Sequence, residues 1–591
     1  MGRRLLVMGL LALAFAAPAA AQPRVLWPGV TFDTGVQFTP NGPVAINILT
    51  GPRPGGTTTL APSLSNDTLT GRETLTAIER RTAPQVTTAG INGDFFAFST
   101  GLPSGVLMQD GQVMSPPSAD RASAGVTSDG TLDVRRVALS GTWQGAGGKR
   151  TLNRFNKPLE GSGIALYTPV WGPTTPPTPG AVSAVLFPFP AATPNTDLQA
   201  PVVELRTGGA AVPIPPGGAV LVAVGAAAAA LTAEAPVQQL VTIQLNLKPD
   251  WPDIVSAIGG GPQIVRDGAP VFRAGEIFTT SQLSPRAPRS AVGQLADGRV
   301  ILVAVDGRQD GYSVGMTNFE LAQALVRLGA VTGMALDSGG STTMAFDGTL
   351  LNRPSQPERP ISTALLFQYT GVFVQPAVGV VSPDGDGVAD KQSLRYKVVR
   401  PSTIDVKLLR PDGTVGYQAS VARQPGRYAV PFPPVAPVTP VVPSPTSRGV
   451  STRSAAPAQG RWTLTVSAVD DIGQTSEMTQ TFLVNTTIGF LATTPKKLFL
   501  PPLGRDIRIT WKQTKTAKVV VTVETRKGEV LRTLALRSYT AGLHGVTWNG
   551  LDRTRKAVKG GGYVVRVVAR NPLGTLDLAR NLQVQRIVGP K

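Results

Sequence analysis

The stretch from residue 288 to residue 367 constrains the fold most, because it contains two short apolar runs that each end at an aspartate. Residues 299–305 and 331–336 have the length and apolar composition that are typical of buried strands. Asp306 follows the first run and Asp337 follows the second. The pattern predicts two buried strands, each with a carboxylate at its carboxyl end.

A helix is predicted between these two strands. Thr317 and Glu320 have the spacing of a capping box, in which each side chain accepts a hydrogen bond from the other residue's backbone N–H. Gly329 occupies a position where helices commonly end. Apolar residues recur at helical spacing between them: Leu321, Ala324, Leu325 and Leu328. The whole stretch therefore predicts a βαβ-type unit.

The residues after both strands suggest a functional site. Functional groups of open α/β sheets gather where strands end, and Asp337 is followed by a glycine-rich segment, residues 338–343. Taken alone, each segment is equally consistent with an ordinary turn.

The distribution of histidine and cysteine excludes several kinds of catalysis. The chain has no cysteine and a single histidine, His544. Catalysis by Ser-His-Asp or Cys-His groups is therefore excluded from residues 1–543, and zinc or histidine-rich dimetal sites are disfavoured there. Chemistry in that region must use carboxylates, arginine, lysine, hydroxyls, amides and backbone dipoles, without a required cofactor.

The first residues have the pattern of a secretory signal peptide. Arg3 and Arg4 precede an apolar run, residues 5–16, and small residues at 19–21 offer a cleavage site. The run is too short to cross a bilayer comfortably, and we expect no transmembrane segment elsewhere. The sequence predicts an exported protein, periplasmic, cell-surface or extracellular, and the absence of disulfides suggests a bacterial one.

Length and composition predict several domains with many turns. The 591 residues include 65 glycines and 53 prolines. We expect an α+β catalytic domain, with a mixed sheet and few helices, followed by two antiparallel β-sandwich modules. The predicted boundaries are a signal peptide at 1–21, an N-terminal segment at 22–69, the catalytic domain at 70–372 and the two modules at 379–485 and 490–591.

Both predicted modules have distinctive sequences. The first contains Asp384, Asp386 and Asp390 among glycines, a pattern that suits calcium but also an ordinary polar turn. It also has a Pro/Ser-rich stretch, residues 431–460, expected to be an exposed loop. In the second, residues 496–591 contain 20 Lys and Arg against 5 Asp and Glu, a net charge of +15. Anionic envelope polymers are the expected partners, nucleic acid is not, and the alternative is a solvated basic surface.

Several segments together resemble the phosphodiester glycosidases. They occur in that family's order over roughly residues 70–370: INGDFF (91–96), AIGGGPQIVRDG (257–268), PRSAVG (288–293), VDGRQDG (305–311), GMTNFELAQALVRLGA (315–330), LDSGGSTTM (336–344) and LNRPSQPERPIST (351–363). The resemblance implies hydrolysis of a sugar-1-phosphodiester at the anomeric C–O bond. One position departs from the family's usual glycine, namely Ser338, and a serine there would be strained if the backbone needed a positive φ.

The resemblance suggests roles for particular residues. Asp306 and Asp337 are the candidate base or nucleophile, and Asp94 is a third catalytic candidate. The expected substrate-binding residues are Asn92, Arg289, Arg308, Gly260, Gly261, Gly339, Gly340, Ser341, Thr342, Asn352, Arg353 and Arg359. The alternatives are a non-catalytic polysaccharide-binding or envelope protein on the same fold, and a phosphodiesterase that cleaves the P–O bond.

The last module resembles the Ig-like repeat of flagellar hook-capping proteins. The similarity rests on Tyr539, Gly542, the Trp548-Asn549-Gly550 segment and Gly562-Tyr563 before an alternating strand. It implies a sandwich used for attachment or spacing.

Overall fold

The computed structural model describes residues 22–271, 275–434, 457–500 and 506–586. The predicted signal peptide and most of the predicted Pro/Ser-rich loop therefore lie outside the described residues. Within the described ranges, no helix combines the length and apolar character that a membrane span requires.

The chain divides into two compact units. The first consists of Met1–Ala83 and Thr88–Gln368, and the second of Pro84–Thr87 and Tyr369–Lys591. Strands dominate both units and the described helices are few, as predicted.

The first unit contains the described helices and the larger sheets. Its helices are Leu75–Thr82 (α1), Ala226–Glu234 (α2), Thr280–Leu283 (α3) and Asn318–Arg327 (α4). Single 3-10 turns occur at Ser65–Asp67, Pro169–Trp171 and Gly339–Ser341. The strands are Arg24–Trp27 (β1), Val30–Thr39 (β2), Gly42–Gly51 (β3), Thr58–Leu64 (β4), Thr87–Asn92 (β5), Leu107–Gln109 (β6), Gln112–Ser115 (β7), Ala122–Thr127 (β8), Leu132–Arg136 (β9), Ala138–Gln144 (β10), Arg150–Leu152 (β11), Arg154–Phe155 (β12), Gly163–Tyr167 (β13), Val182–Leu186 (β14), Asp197–Arg206 (β15), Ala219–Val224 (β16), Leu240–Lys248 (β17), Ile254–Gly259 (β18), Gln263–Arg266 (β19), Ala269–Pro270 (β20), Arg289–Leu295 (β21), Val300–Val305 (β22), Ala330–Ala335 (β23), Met344–Phe346 (β24), Thr349–Leu350 (β25) and Thr363–Tyr369 (β26).

The two predicted strands, β22 and β23, lie in an eight-stranded sheet with the order β1-β2-β3-β22-β21-β23-β19-β20. Strand β21 pairs antiparallel with both of them, so they run parallel to each other with one strand between them. The predicted βαβ-type unit is therefore present, with β21 inserted between its two parallel strands. Their carboxyl ends still face the same edge of the sheet. The N-terminal segment supplies β1 to β3 of this sheet.

Helix α4 connects β22 to β23 as the sequence predicts. Glu320 N donates to Thr317 Oγ1 at 3.2 Å, and Thr317 N donates to Glu320 Oε2 at 2.9 Å, which completes the capping box. Gly329 has a φ of +92°, so the helix ends at a residue that glycine suits. Leu321 and Leu325 are fully buried against the sheet, which stabilises the unit by about 2 kcal/mol for each side chain.

A second eight-stranded sheet, with the order β11-β10-β17-β15-β14-β16-β13-β12, is inserted in the chain between β9 and β18. It has its own core, which includes Trp143, Leu221 and Ile243. Two five-stranded sheets complete the unit, with the orders β7-β6-β18-β8-β9 and β25-β24-β5-β26-β4. Every residue of β5 is buried, and the strand ends at Asn92, two residues before Asp94.

The second unit consists of strands alone within its described residues. They are Phe373–Val374 (β27), Val380–Val381 (β28), Gln392–Val398 (β29), Ser402–Leu409 (β30), Val415–Arg423 (β31), Gly426–Phe432 (β32), Gly460–Asp470 (β33), Thr475–Val484 (β34), Ile488–Thr494 (β35), Lys497–Leu500 (β36), Ile507–Gln513 (β37), Ala517–Thr525 (β38), Val530–Tyr539 (β39), Gly542–Trp548 (β40), Gly561–Asn571 (β41) and Gly574–Arg586 (β42).

These strands form two pairs of sheets, one three-stranded and one five-stranded sheet in each pair. Phe432 of one sheet packs edge-on against Trp462 of the other in the first pair, and Trp511 and Val521 belong to one core in the second. The expected sandwiches are therefore present. They are not wholly antiparallel, because β28 pairs parallel with β34 and β36 pairs parallel with β42.

Candidate active site

Asp94 lies in a tight loop directly after β5 and is almost completely buried. Its Oδ1 accepts a hydrogen bond from Phe95 N at 2.7 Å, and its Oδ2 accepts one from Gly105 N at 2.6 Å. A Cβ atom on Gly259 would lie 2.4 Å from Oδ2, so only glycine permits that strand to approach the carboxylate. Burial raises the pKa of Asp94 to about 7, against the effect of both N–H donors.

Asp337 follows the end of β23 and lies close enough to Asp94 for its charge to act on that residue. Its backbone N donates to Gly93 O at 3.0 Å, which joins the two strand ends. Its Oδ1 accepts from Ser338 N at 2.8 Å, and the Ser341 hydroxyl also hydrogen-bonds to this carboxyl group. Burial raises the pKa of Asp337 to about 6. The negative charge of Asp337 in turn adds to the rise in the pKa of Asp94.

The positive charge of Arg121 acts on both Asp94 and Asp337, although no sequence pattern indicated this residue. It opposes the rise in pKa of both Asp94 and Asp337. Its guanidinium lies 5.0 Å from the ring centroid of Phe95 and 5.1 Å from that of Phe278. Its Nη1 is buried without a hydrogen-bond partner in the described part of the chain. Only the fold brings this arginine to the aspartates, so local spacing could not reveal it.

Lys157 is a second cation that the sequence did not indicate. It follows β12 and is partly buried. Burial lowers the pKa of its ammonium group, and the charge of Asp94 acts in the opposite direction. The inserted sheet thus contributes a positive charge close to Asp94.

Asn92, predicted to bind substrate, instead links three segments of the protein. Its Nδ2 donates to the Asp337 carbonyl at 2.8 Å, and its Oδ1 accepts from Ser290 Oγ at 2.6 Å and from Thr343 N at 3.2 Å. Ser290 Oγ also contacts Thr342 Oγ1 at 3.3 Å. These bonds hold the backbone of Asp337 in place.

Asp306 lies at the end of β22 in a different environment. Its carboxylate accepts from Asn352 Nδ2 at 2.8 Å, Tyr312 Oη at 3.0 Å and Asn47 Nδ2 at 3.1 Å. A fourth bond comes from Arg353 N at 3.2 Å. Burial raises the pKa of Asp306, and these four donors oppose that rise. Asn352 is equally engaged, since its Oδ1 accepts from Met344 N at 2.8 Å.

Arg289 and Arg308 line a small cavity of about 160 Å³ together with Ser338, the neighbour of Asp337. Arg289 is buried and donates to backbone carbonyls of Met316, Gln282, Leu283 and Pro285. Burial, and then the positive charge of Arg308, lowers the pKa of Arg289 to about 10. Arg308 is exposed and has no hydrogen bond from its side chain within the described residues. The described lining contains two guanidinium groups and no carboxylate.

Arg353 and Arg359 approach from the segment after β25. Arg353 is exposed and stacks over Tyr312 at 4.8 Å from the ring centroid. Arg359 lies over Phe98 at 5.4 Å, and its Nη1 donates to Ser341 Oγ at 3.4 Å. Its positive charge opposes the rise in the pKa of Asp337.

The glycines of the site permit close packing. Two of their backbone N–H groups already donate to carbonyls of the protein. Gly261 N donates to Ala335 O and Gly339 N donates to Pro288 O, both at 2.9 Å, so these N–H groups are occupied. A Cβ atom on Gly260 would lie 2.7 Å from the Met334 methyl group, and one on Gly340 would lie 2.2 Å from Arg359 Nη2. A Cβ atom on Gly260 would also lie 2.8 Å from the Ala335 carbonyl oxygen, so the backbone favours glycine there, whereas the Arg359 side chain near Gly340 can move.

Ser338 is accommodated without strain. Its φ is −126° and its ψ is −175°, which is extended backbone that any residue adopts. The positive φ occurs one residue later, at Gly339, where it is +67°. The departure from the family's glycine at position 338 therefore carries no backbone penalty.

The Asp384, Asp386 and Asp390 carboxylates come together in the second unit, with oxygen atoms within 4.8 Å of one another. Each oxygen of Asp390 accepts from a backbone N–H, of Gly385 and of Gly387, both at 2.8 Å. Asp386 accepts from Val388 N at 2.7 Å and Phe490 N at 2.6 Å. Burial raises the pKa of Asp384 to about 6. Hydrogen bonds thus organise this loop, and calcium binding stays a prediction.

Comparisons with known proteins agree with the two resemblances. Residues 195–368 match the family model of phosphodiester glycosidases. Residues 504–572 match that of the FlgD Ig-like domain. The glycosidase match includes Asp306 and Asp337 and begins after Asp94.

Two curated relatives show the same similarity over short segments. The SPbeta prophage-derived uncharacterized protein YomE of Bacillus subtilis is 32% identical over 110 residues, which are 18% of this chain and 17% of that protein. The N-acetylglucosamine-1-phosphodiester alpha-N-acetylglucosaminidase of Bos taurus is 36% identical over 67 residues, 11% of this chain and 12% of the relative. The chain thus matches less than a fifth of either relative's length. A solved structure of a hypothetical protein from Synechocystis aligns with a TM-score of 0.48 at 27% identity, over 58% of this chain and 62% of that one.

Proposed function

We propose that this chain is an exported glycoside hydrolase that cleaves the anomeric C–O bond of a sugar-1-phosphodiester and releases a sugar and a phosphomonoester. The observation that carries the proposal is the carboxyl pair of buried Asp94 and half-buried Asp337, on which the positive charge of Arg121 acts, with one Arg121 nitrogen that has no partner among the described residues. Two carboxyl groups suffice for glycoside hydrolysis, because one handles the leaving group and the other handles water or the anomeric carbon. The similarity of residues 195–368 to phosphodiester glycosidases supports the substrate class.

The raised pKa values of the two carboxyl groups suit one acid and one base near neutral pH. Asp337, with a pKa of about 6, is mostly ionised at pH 7 and acts as the base or nucleophile. Asp94, with a pKa of about 7, still holds a proton for the leaving phosphate oxygen. The bond between C1 and that oxygen breaks, and the water oxygen ends on C1. Arg121 and Arg359 stabilise negative charge during this step, and Arg308 faces the phosphate.

Asp306 has a positioning role in this proposal. All four of its described contacts are donors that fix the loops carrying Arg353, Asn352 and Tyr312. A carboxylate whose four hydrogen bonds all come from the protein is held in place, so it suits a scaffold better than proton transfer.

Hydrolysis of a sugar-1-phosphodiester in ¹⁸O-labelled water tests the reaction. Label in the released sugar is the expected result. Label in the phosphate would identify a P–O-cleaving phosphodiesterase, and no turnover over a panel of sugars would favour a binding protein on the same fold.

We also propose that the basic module retains the protein on anionic envelope polymers. Lys518 and Arg570 lie directly opposite each other on β38 and β41, and both are exposed. Like charges in that position repel, and an anionic ligand relieves the repulsion. Cosedimentation of residues 490–591 with isolated cell envelopes, at low and high salt, is expected to show salt-sensitive binding. Equal sedimentation with and without envelopes would refute the anchor.

A further inference from the structure

The last module contains a three-stranded sheet, β35-β37-β40, whose outer face is exposed. Residues alternate along its central strand: Ile509 and Trp511 are buried in the core of the sandwich, whereas Arg508 and Lys512 are exposed. Neither of these two cations has a hydrogen bond or an ion pair from its side chain within the described residues. The described outward side chains of the three strands include no carboxylate. This face therefore presents positive charge that the sheet itself does not neutralise.

Phe490, on the neighbouring strand β35, has a backbone conformation that bulky residues rarely adopt. Its φ is +56°, in the left-handed region, at a bulge where the register of β35 with β37 shifts between Gly489 and Ala492. Its backbone N donates to Asp386 Oδ2 at 2.6 Å, which holds the bulge in place. The side chain is 45% exposed, so little core packing offsets the backbone strain. Bulges re-aim side chains, and this one presents an aromatic ring to solvent.

The Phe490 ring belongs to a row of exposed side chains that crosses the sheet. Lys512 Nζ lies 5.5 Å from the centroid of the ring, and Leu543 is directly opposite Lys512 on β40. The next row is low, because its residues on the outer two strands are Ala492 and Gly545. The outer face thus offers an apolar ring beside a cation, next to a shallow floor of small residues.

The spacing of the two cations indicates the size of the ligand. Arg508 and Lys512 are four residues apart on one strand, so about 13 Å separates their positions along β37. A single small anion does not reach both, whereas a polymer with repeated negative charges does. The net charge of +15 over residues 496–591 also favours an anionic ligand. The exposed ring of Phe490 suits the apolar face of a sugar ring.

We propose that the outer face of β35-β37-β40 binds an acidic polysaccharide, with a sugar ring on Phe490 and negative groups on Lys512 and Arg508. The assignment rests on the proposed anchoring by the basic module, and it narrows both the surface and the class of polymer. An anionic polymer without sugar rings leaves Phe490 without a role. A neutral polysaccharide leaves both cations without one.

The test measures binding of the full chain to polygalacturonate, an acidic polysaccharide, to polyglutamate, an anionic polymer without sugar rings, and to dextran, a neutral polysaccharide. We expect the tightest binding to polygalacturonate. Phe490→Ala should weaken that binding about 10-fold and change polyglutamate binding less than about twofold, because only a sugar ring uses the aromatic side chain. Lys512→Ala should weaken binding to both anionic polymers about threefold. Phe499→Ala, which removes a similarly exposed ring from the five-stranded sheet of the same module, is the matched control and should change neither.

Thermal melts of Phe490→Gly test whether the strained backbone is there for the sake of the exposed ring. Glycine adopts a positive φ without a steric penalty, so the melting temperature of this variant should rise. Its binding to polygalacturonate should nevertheless fall about 10-fold. A lower melting temperature would show that the ring stabilises the fold, and it would contradict the proposal.

The polymer comparison also separates this inference from the anchor. If the folded Phe490→Ala protein binds polygalacturonate as tightly as the wild type, this face is not the site, and the anchor depends on charge elsewhere in the module. If the wild-type protein binds neither anionic polymer, the anchor fails and the assignment of this face fails with it. Equal binding to dextran and polygalacturonate would overturn the acidic character of the ligand.

Discussion

Two aspartates that look alike in the sequence have opposite surroundings in the fold. Asp306 and Asp337 each follow a buried apolar strand, and these strands run parallel in one sheet. Asp306 meets four hydrogen-bond donors. Asp337 meets a second carboxyl group, the buried Asp94, and the positive charge of Arg121 acts on both. Position at a strand end selects both aspartates as candidates, and the donors around each carboxylate are the basis on which we propose a scaffold role for Asp306 and a chemical role for Asp337.

The largest expected effect is the loss of activity in Asp337→Asn. The amide keeps the size of the carboxyl group and can still accept from Ser338 N and donate to Ser341 Oγ, so folding should be preserved. Removal of the base should lower kcat by about 10³-fold or more. Asp267→Asn, at an exposed turn of the same unit, is the matched control in steady-state assays. Near-normal turnover of a folded Asp337→Asn protein would refute the assignment.

The second-largest effect is expected for substitution of Arg121, because its positive charge acts on both Asp94 and Asp337. Arg121→Ala should lower kcat/KM by about 10²-fold and raise the pKa values of Asp94 and Asp337, since its positive charge holds them down. The pH–rate profile should therefore shift to higher pH. Arg121→Lys should recover part of that shift, and a profile unchanged in position would contradict the electrostatic role.

For Asp306→Asn we expect the opposite of the Asp337→Asn result, because this substitution should lower stability more than activity. Its amide nitrogen would face donors that now bind the carboxylate, at a cost of about 2–4 kcal/mol in the free energy of unfolding. Urea denaturation measures this loss, and kcat of the folded fraction should fall less than about 10-fold. A loss of kcat as large as that of Asp337→Asn would erase the distinction between the two aspartates.

The raised pKa values predict how activity and stability depend on pH. Activity needs Asp337 ionised and Asp94 protonated, so kcat should peak between about pH 6 and 7 and fall on both sides. Both carboxyl groups bind protons more tightly in the folded protein than in the unfolded chain. Their contribution to stability is therefore greatest at low pH and is lost as the pH rises from about 4 to 7. Asp337→Asn should flatten this decline in thermal melts, and an identical slope in the variant would contradict it.

The smallest effect is expected for Ser338→Gly. Because Ser338 is extended, glycine should change kcat by less than about twofold and cost about 0.5 kcal/mol through backbone entropy. Gly339→Ala should cost about 1 kcal/mol or more, since its φ is +67°. A rise in activity in Ser338→Gly would show that serine does impair the site.

Local patterns predicted the two strands and the helix between them, and with the resemblance they selected Asp94 and Asp337 as site candidates. The Thr317–Glu320 capping box and the two apolar strands follow from neighbouring residues, so they are readable from the sequence. The antiparallel β21 between those strands is not, because strand order depends on long-range pairing. Arg121 and Lys157 were not predicted as site residues for the same reason, because only long-range contacts bring them to the aspartates.

The roles of Asn92, Asn352 and Arg289 also lay beyond the sequence. Their residue types are equally suited to binding substrate and to binding the protein's own backbone. Contacts alone distinguish these uses, and all three bind the protein: Asn92 holds Asp337, Asn352 holds Asp306, and Arg289 donates to four carbonyls.

The hydrogen bond from Asn92 to the Asp337 carbonyl joins residues 245 positions apart in the chain. During synthesis the ribosome completes Asp94 long before its partner, and the inserted sheet with its separate core emerges in between. Strand β5 cannot pair with β24, an antiparallel partner, until β24 has been synthesised. Until then the edge of β5 is exposed to association with other chains. The proposed catalytic activity would consequently report the last steps of folding in the first unit, and chains truncated before residue 344 should be both inactive and prone to aggregation.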